Sequence, residues 1–354
     1  MQGESVLATG SFDATVGIWR RWDSYGRGSK RNVDGEDLAA EEEQDHEEEE
    51  EGEGEEEEEE WRFAVLLDGH DSEVKSVSWS PSGMLIATCA RDKSIWIWED
   101  LDDGDNNFET VAVMQEHQGD VKCVAWHPVE ECLASASYDD TIRLWREDID
   151  DWTQVACIKR HSGTVWFIDW ESATNVPSST TPTHSQSARW KQNNALSGPR
   201  LVSCSDDRTV RIWRKQAKEQ SNLTSYGTMP SIIRPTGIEE AWEEEAILPR
   251  VHELAIYAVA WSKRSGLVAS VGADGRIVVY EERFTSDNEG EGGEIHPAAT
   301  EWSVIASTVG GHGIYEINHV AWAKRADRGR KQDDEEVLVT TADNGSVKVW
   351  TIQR

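Results

Sequence analysis

The segment Cys132–Trp145, CLASASYDDTIRLW, decides the fold. Apolar residues alternate with small or polar ones up to Ser137, a turn follows at Tyr138-Asp139-Asp140, and the alternation resumes from Ile142 to Trp145. Two short strands of period two joined by a tight turn have this signature. The pattern is written five more times: SVLATGSFDATVGIW (Ser5–Trp19), MLIATCARDKSIWIW (Met84–Trp98), RLVSCSDDRTVRIW (Arg200–Trp213), LVASVGADGRIVVY (Leu267–Tyr280) and VLVTTADNGSVKVW (Val337–Trp350). Self-similarity at a spacing of about 40 residues marks a repeat architecture. Such folds build platforms for other proteins far more often than catalysts.

The copies share fixed positions. Ten residues before each terminal aromatic stands Thr9, Thr88, Ser135, Ser203, Ser270 or Thr340. Six before it stands Asp13, Asp92, Asp139, Asp207 or Asp274, and Asn344 in the last copy. Five copies carry an upstream histidine: His70, His117, His161, His252 and His312. Between histidine and Ser/Thr, another apolar stretch ends at Trp79, Trp126, Trp170, Trp261 or Trp322. VKSVSW, LIATCA and SIWIW then read as three strands of one copy and FETVAVM (Phe108–Met114) as a fourth. Four antiparallel strands per repeat make a propeller blade. Ser, His and Asp within one unit suggest a hydrolytic triad, but the set returns in blade after blade. Repetition suits a structural device: a buried His and Asp need partners, and a satisfied network contributes roughly 1 kcal/mol per bond. The remaining histidines, His46, His127, His184, His296 and His319, pair with no Ser or Cys at a recognisable spacing, so no catalytic set is expected.

The pattern resembles the WD40 family. The resemblance implies hydrogen-bonded tetrads His70–Thr88–Asp92–Trp98, His117–Ser135–Asp139–Trp145 and His161–Ser203–Asp207–Trp213, each tying a loop to its blade. It implies an all-β WD40 β-propeller, seven-bladed in the family, forming one domain over residues 1–354. Strands count as three for the first copy, four for each of the next four and three for the last. That is about five full blades' worth of sequence, with partial first and last blades. Because the first copy has neither a first strand nor an upstream histidine, the expectation is a chain lacking an N-terminal stretch. Six-bladed closure, with the partial blades merging, is the alternative.

The 354 residues carry 68 Asp and Glu against 35 Lys and Arg, a net charge of −33. Nineteen of the acidic residues fall in Asp34–Glu60, which holds no Lys or Arg. Such a run repels itself, so residues 20–60 are expected as a disordered acidic insertion. It would suit a basic partner such as a histone or ribosomal protein. Without it the balance stays near −14, which weighs against direct nucleic-acid binding. Residues 171–199, rich in Ser, Thr, Pro, Asn and Gln, and residues 215–249 read as flexible loop insertions. No signal peptide or membrane-spanning run is visible, so no membrane partner is expected. The five cysteines, Cys89, Cys123, Cys132, Cys157 and Cys204, show no CxxC spacing. They read as reduced thiols, with no Cys-built metal site and no cofactor.

Longer stretches are more particular: GHDSEVKSVSWSPSGMLIATC (Gly69–Cys89), ATCARDKSIWIWE (Ala87–Glu99), ASYDDTIRLWREDIDDW (Ala136–Trp152), SGTVWFIDW and SCSDDRTVRIWR. Together they resemble the WD40 subunit of the cytosolic iron–sulfur assembly machinery, the Ciao type, over well over half the chain. SFDATVGIW aligns with that family's second blade. The acidic tract and the Ser/Thr-rich insertion lie outside the family's core pattern. The resemblance implies a non-catalytic scaffold, cytoplasmic and also nuclear. Its partners would be a small acidic subunit and a HEAT-repeat adaptor of the targeting complex, an iron-hydrogenase-like cluster carrier, and iron–sulfur apoproteins. A WD40 adaptor of another class, histone-binding or a ubiquitin-ligase substrate receptor, is the competing reading.

Propellers bind partners mostly on the face where loops enter the innermost strands. The position before the network Asp points there and reads Phe12, Arg91, Tyr138, Asp206, Ala273 and Asp343. Four residues before the inner-strand Trp stand Lys75, Lys122, Trp166, Tyr257 and Asn318. Arg91, Lys75, Lys122 and Tyr138 therefore gather basic and aromatic character on adjacent blades, with Trp166 and Tyr257 beyond, and such residue types dominate interface hot spots. In the family the Arg of the RDKS turn matters for function, a role the resemblance carries to Arg91. The expected ligand is a carboxylate-bearing surface, either a partner loop or a client C-terminus.

Overall fold

Six antiparallel sheets follow one another along the chain. The computed structural model describes residues 4–22, 61–101, 106–148, 151–177, 184–217, 239–285, 300–332 and 335–352. Blade one holds β1 (Glu4–Gly10), β2 (Thr15–Trp22) and β3 (Arg62–Asp68). Blade two holds β4 (Val74–Trp79), β5 (Leu85–Ala90), β6 (Ile95–Asp100) and β7 (Phe108–Met114). Blade three holds β8 (Val121–Trp126), β9 (Cys132–Ser137), β10 (Ile142–Asp148) and β11 (Asp151–Ile158). Blade four holds β12 (Val165–Trp170), β13 (Leu201–Ser205), β14 (Val210–Lys215) and β15 (Trp242–Ile247). Blade five holds β16 (Ile256–Trp261), β17 (Val268–Gly272), β18 (Arg276–Phe284) and β19 (Thr300–Val309). Blade six holds β20 (Ile317–Lys324), β21 (Glu336–Ala342) and β22 (Val347–Trp350).

The blade count corrects the sequence reading. Six sheets are present among the described residues, four of four strands and two of three, where the family pattern gave seven blades with about five full ones. The two three-stranded sheets remain separate and do not merge.

Blades two to five bury both faces against their neighbours, whereas β1 of blade one and β22 of blade six hold no buried residue among those described. β5, β9, β13 and β17 are buried at every residue, which is why every residue of LIATCA and CLASAS is either small or apolar. The innermost strands pack in succession, β4 on β8, β8 on β12, β12 on β16 and β16 on β20. The Trp that ends an inner strand bolts one blade to the previous one. The Trp126 indole N–H donates to the Ser78 carbonyl at 3.1 Å, Trp170 to Ala125 at 3.0 Å and Trp322 to Ala260 at 3.1 Å. Trp261 differs: its indole bonds within its own blade to Gly266, while its backbone N–H donates to Asp169 of blade four.

The insertions are more ordered than their composition suggests. The 171–199 stretch, expected as a flexible loop, holds an α-helix, α1 (His184–Ser197). Trp190 anchors it, buried to 2% exposure and stacked on the Arg200 guanidinium at 4.7 Å. Its indole N–H donates to the Asn175 carbonyl, and Gln186 donates to the Thr285 carbonyl. Low hydropathy did not prevent folding here, because one aromatic residue gains a buried cation as partner. Within 215–249, Trp242 opens β15, the outer, fourth strand of blade four. Glu240, just before it, is fixed by Arg146 Nε at 2.9 Å and Lys215 Nζ at 2.6 Å. The acidic tract, residues 34–60, lies outside the described residues.

Candidate functional site

In blades two, three and four the His, Ser/Thr, Asp and Trp side chains are hydrogen-bonded in a chain. In blade three, His117 Nδ1 lies 2.9 Å from Asp139 Oδ2 and Nε2 lies 2.8 Å from Ser135 Oγ, which accepts the Trp145 indole N–H at 2.9 Å. Blade four repeats this with His161, Asp207, Ser203 and Trp213 at 2.8, 2.7 and 2.8 Å. Blade two repeats it with His70, Asp92, Thr88 and Trp98 at 2.9, 2.8 and 3.0 Å. Each chain runs one way. The indole donates to the hydroxyl, the hydroxyl donates to imidazole Nε2, and Nδ1–H donates to the carboxylate. Burial pushes the His70, His117 and His161 imidazoles below their usual value, against the pull of the carboxylates. Burial opposes ionisation of Asp139 and Asp207, yet bonds from His117 or His161, Thr141 or Thr209 and a backbone N–H outweigh it. Both carboxyls are held well below the usual range. Ser135 and Ser203 are fully buried, so neither hydroxyl meets an outside substrate.

The networks are incomplete at both ends of the chain. His312 Nδ1 meets Ser346 Oγ at 2.9 Å, since Asn344 replaces the carboxylate. Blade one keeps only the Trp19–Thr9 bond at 3.1 Å, and Asp13 turns to Thr15.

The exposed rim of the face is built by a repeated defect. Every inner strand carries a β-bulge where it enters the sheet, and the bulged residues are Lys75, Lys122, Trp166, Tyr257 and Asn318. A bulge re-aims one side chain out of the ladder. The turn residue before each network Asp is tied beside it by a backbone bond: Arg91 N–H to Glu73 O, Tyr138 to Asp120, Asp206 to Thr164, Ala273 to Ala255 and Asp343 to Glu316. Blades two to six each thus present a two-residue station: Lys75/Arg91, Lys122/Tyr138, Trp166/Asp206, Tyr257/Ala273 and Asn318/Asp343. The stations run from basic in blade two, through aromatic, to acidic in blade six.

Four of the six residues expected in the interface touch one another. Lys122 Nζ lies 5.6 Å from the Tyr138 ring centroid and 5.0 Å from that of Trp166. Trp166 meets Tyr257 edge to face at 5.2 Å. Trp166 also donates to Asp206 Oδ1 at 2.5 Å, and the Tyr257 hydroxyl donates to Glu316 Oε2 at 2.9 Å. Burial first, then Glu316, pushes the Tyr257 hydroxyl up to about 12. Lys122 is held between its rings and Asp120, with its side chain 13% exposed. Lys75 stands apart over the Phe12 ring at 4.4 Å. Arg91 pairs with Glu73 at 3.1 Å, and its side chain stays 60% exposed.

Sequence reading missed an apolar sector in the neighbouring loops: Leu254, Ile314 and Tyr315 are 53%, 96% and 46% exposed. Only their loop positions beside His252 and His312 could have signalled them. Among the described residues no group of three or more His, Cys, Asp or Glu side chains is placed to hold a metal ion. Cys89, Cys123, Cys132 and Cys204 are buried, and burial pushes the Cys123 and Cys132 thiols up to about 12. No helix among those residues is long and apolar enough to cross a membrane.

Sheets of three or four strands with a repeated His–Ser/Thr–Asp–Trp network define a WD-repeat propeller, and the family model for the WD domain, G-beta repeat, matches residues 61–99, 108–146, 152–214 and 245–281. The chain is 67% identical, over 100% of its length and 83% of the relative's, to a protein of Aspergillus flavus described as "Probable cytosolic iron-sulfur protein assembly protein 1". Proteins of the same description from Emericella nidulans and Penicillium rubens are 65% and 62% identical, each over 100% of this chain and over 82% and 84% of their own lengths. The chain belongs to this family of WD-repeat cytosolic iron–sulfur protein assembly proteins.

Proposed function

We propose that the protein is a non-catalytic scaffold of cytosolic iron–sulfur protein assembly, linking a cluster donor and targeting subunits to cytosolic and nuclear apoproteins. The observation that supports the reading is 67% identity along the whole chain to a relative named for cytosolic iron–sulfur protein assembly. The geometry supports a scaffold. The Ser, His and Asp side chains that could have served chemistry are buried and bonded to one another, blade after blade. Two of the residues re-aimed by bulges, Trp166 and Tyr257, are of the kinds that anchor interfaces. The partners are a small acidic subunit, a HEAT-repeat adaptor, an iron-hydrogenase-like cluster carrier and iron–sulfur apoproteins, with the cluster passing as cargo. Arg91, Lys75, Lys122, Tyr138, Trp166 and Tyr257 form the contact set, and Arg91 receives a carboxylate of the partner. The place of work is the cytoplasm, extending to the nucleus.

The test is affinity purification of the chain, tagged at its own locus, with identification of what accompanies it. Recovery of the adaptor, the small acidic subunit and iron–sulfur apoenzymes is the expected result. Histones or ubiquitin-ligase subunits in their place would overturn the reading.

A further inference from the structure

We infer that Asp206 and Glu316 are positioning residues that hold the Trp166–Tyr257 pair in its partner-binding pose. The inference rests on the reading of this face as the recruitment surface. Its ground is a continuous chain of contacts across four blades. Lys122 of blade three bears on Trp166 of blade four, Trp166 meets Tyr257 of blade five, and the Tyr257 hydroxyl donates to Glu316 at the entrance of blade six.

Trp166 is the hub of that chain. Its bulge position frees it from the sheet ladder, so the backbone alone does not fix its ring. The fixing contact is the bond from its indole N–H to Asp206 Oδ1, and Asp206 is itself pinned by its backbone N–H on the Thr164 carbonyl. A charge-assisted bond of this kind is stronger than a neutral one and directional. With its N–H end tied, the indole turns a face to Lys122 and keeps the edge-to-face contact with Tyr257. Glu316 does the same for Tyr257 from the far side. Each carboxylate therefore acts through an aromatic ring, and the aromatic pair meets the partner already oriented, which lowers the ordering cost of binding.

The acceptor, and not the charge, is what positioning requires. Asp206→Ala removes the acceptor; Asp206→Asn keeps a carbonyl oxygen in the same place without the charge. Two measurements follow, with Arg91→Glu as the control for the face itself. The first is the indole N–H resonance of Trp166 in the nitrogen-15-labelled full chain, assigned by Trp166→Phe. It should move in Asp206→Ala and return towards its original position in Asp206→Asn. The second is binding of a purified iron–sulfur apoenzyme that accompanies the wild-type chain. Asp206→Ala should weaken it by about tenfold or more, as loss of an interface anchor does, and Asp206→Asn should restore most of the affinity. Glu316→Ala and Glu316→Gln should behave in parallel. If Asp206→Asn binds as poorly as Asp206→Ala, the carboxylate meets the partner by its charge and positioning is overturned. An unmoved indole resonance in Asp206→Ala overturns it as well. If Asp206→Ala binds normally while Arg91→Glu does not, this inference fails and the face stands. If Arg91→Glu binds normally, the reading of the face fails first.

Discussion

Arg200 and Glu171 are joined by two parallel hydrogen bonds, Nε to Oε2 at 2.9 Å and Nη2 to Oε1 at 2.7 Å, with both side chains wholly buried. The same guanidinium grips Glu282 of blade five at 2.9 and 2.7 Å and lies 5.0 Å from the Trp261 ring. It therefore locks blade four to blade five. Arg200→Leu would leave two carboxylates buried without their cation, and breaking a buried pair in this way costs about 3–5 kcal/mol. Urea unfolding of the variant is the measurement, and a loss under about 1 kcal/mol would contradict the assignment.

Helix α1 depends on the same guanidinium. Trp190 stacks on Arg200 and on Arg214, while Asn194 Oδ1 accepts from Arg214 at 3.0 Å. Little else in its sequence is apolar. Trp190→Ala should release the helix as a local unit and leave the blades intact, since segments with few buried contacts open independently of the core. Limited proteolysis should cut between residues 184 and 197 far faster in the variant, with the melting temperature nearly unchanged. Equal cleavage rates would show that other contacts hold the helix.

The contrast between blade and insertion shows what a sequence can carry. In the blades one residue type answers one local need at a fixed spacing, so Ser135, Asp139 and Trp145 could be placed before any coordinates were known. The rim stations were legible for the same reason, since Lys122 and Tyr138 hold equivalent positions in their repeats. Non-repeating relationships were not legible. Nothing near Trp190 in the sequence indicates that its partner is Arg200, whose own charge is answered by Glu282 some eighty residues later. The strands of each copy were legible, three in the first and last and four in each copy between; the expectation of seven blades came from the family pattern and not from these residues. Trp166 and Asp206 were both noted as rim positions, but their bond joins residues 40 apart.

Removing one hydroxyl from a tetrad should be costly. Ser135 Oγ is bonded to both His117 Nε2 and the Trp145 indole, and all three side chains are buried. Ser135→Ala leaves the ring nitrogen and the indole N–H unpaired in the interior, at about 1–3 kcal/mol for each group. Thr9→Ala in blade one, where the Trp19 indole bond and a longer bond to the Gly17 carbonyl are lost outside the buried interior, should cost less. Chemical denaturation of the two variants checks the order, and equal losses would mean the histidine link contributes nothing.

The same networks set a pH dependence. The His70, His117 and His161 imidazoles are depressed in the fold, so between their folded values and the ordinary value near 6.5 the unfolded chain binds protons that the folded chain does not. Their contribution is fully present above about pH 6.5 and is lost as pH falls towards the folded values. Asp139 and Asp207, also depressed, contribute above the ordinary carboxylate range and lose that contribution as pH falls through it. Both effects have one sign, so the melting temperature should hold from pH 7.5 to about 6.5 and decline from there to pH 4. A melting temperature that holds constant from 7.5 to 5.5 would show that the histidines titrate alike in both states.

Arg91 permits recruitment to be separated from folding. Its side chain is 60% exposed, and among the described residues its one ion pair is with Glu73 at 3.1 Å. Glu73 is held down at about 2, first by the Ser72 hydroxyl and its own backbone N–H, with Arg91 adding less. The pair is therefore a surface contact that contributes little to stability. Arg91→Glu should leave the melting temperature within a few degrees of the original. Its effect on binding should be far larger. On a chain of net charge −33 the basic station of blade two is the exception, and reversing it sets like charge against the partner's carboxylate, a juxtaposition that costs several kcal/mol, or about a hundredfold in affinity. Maturation of a cytosolic iron–sulfur enzyme in cells carrying only the variant reads the outcome. Full activity there, with a normally folded protein, would remove Arg91 from the interface; lost activity with an unchanged melting temperature would place the recruitment surface on the bulged rim.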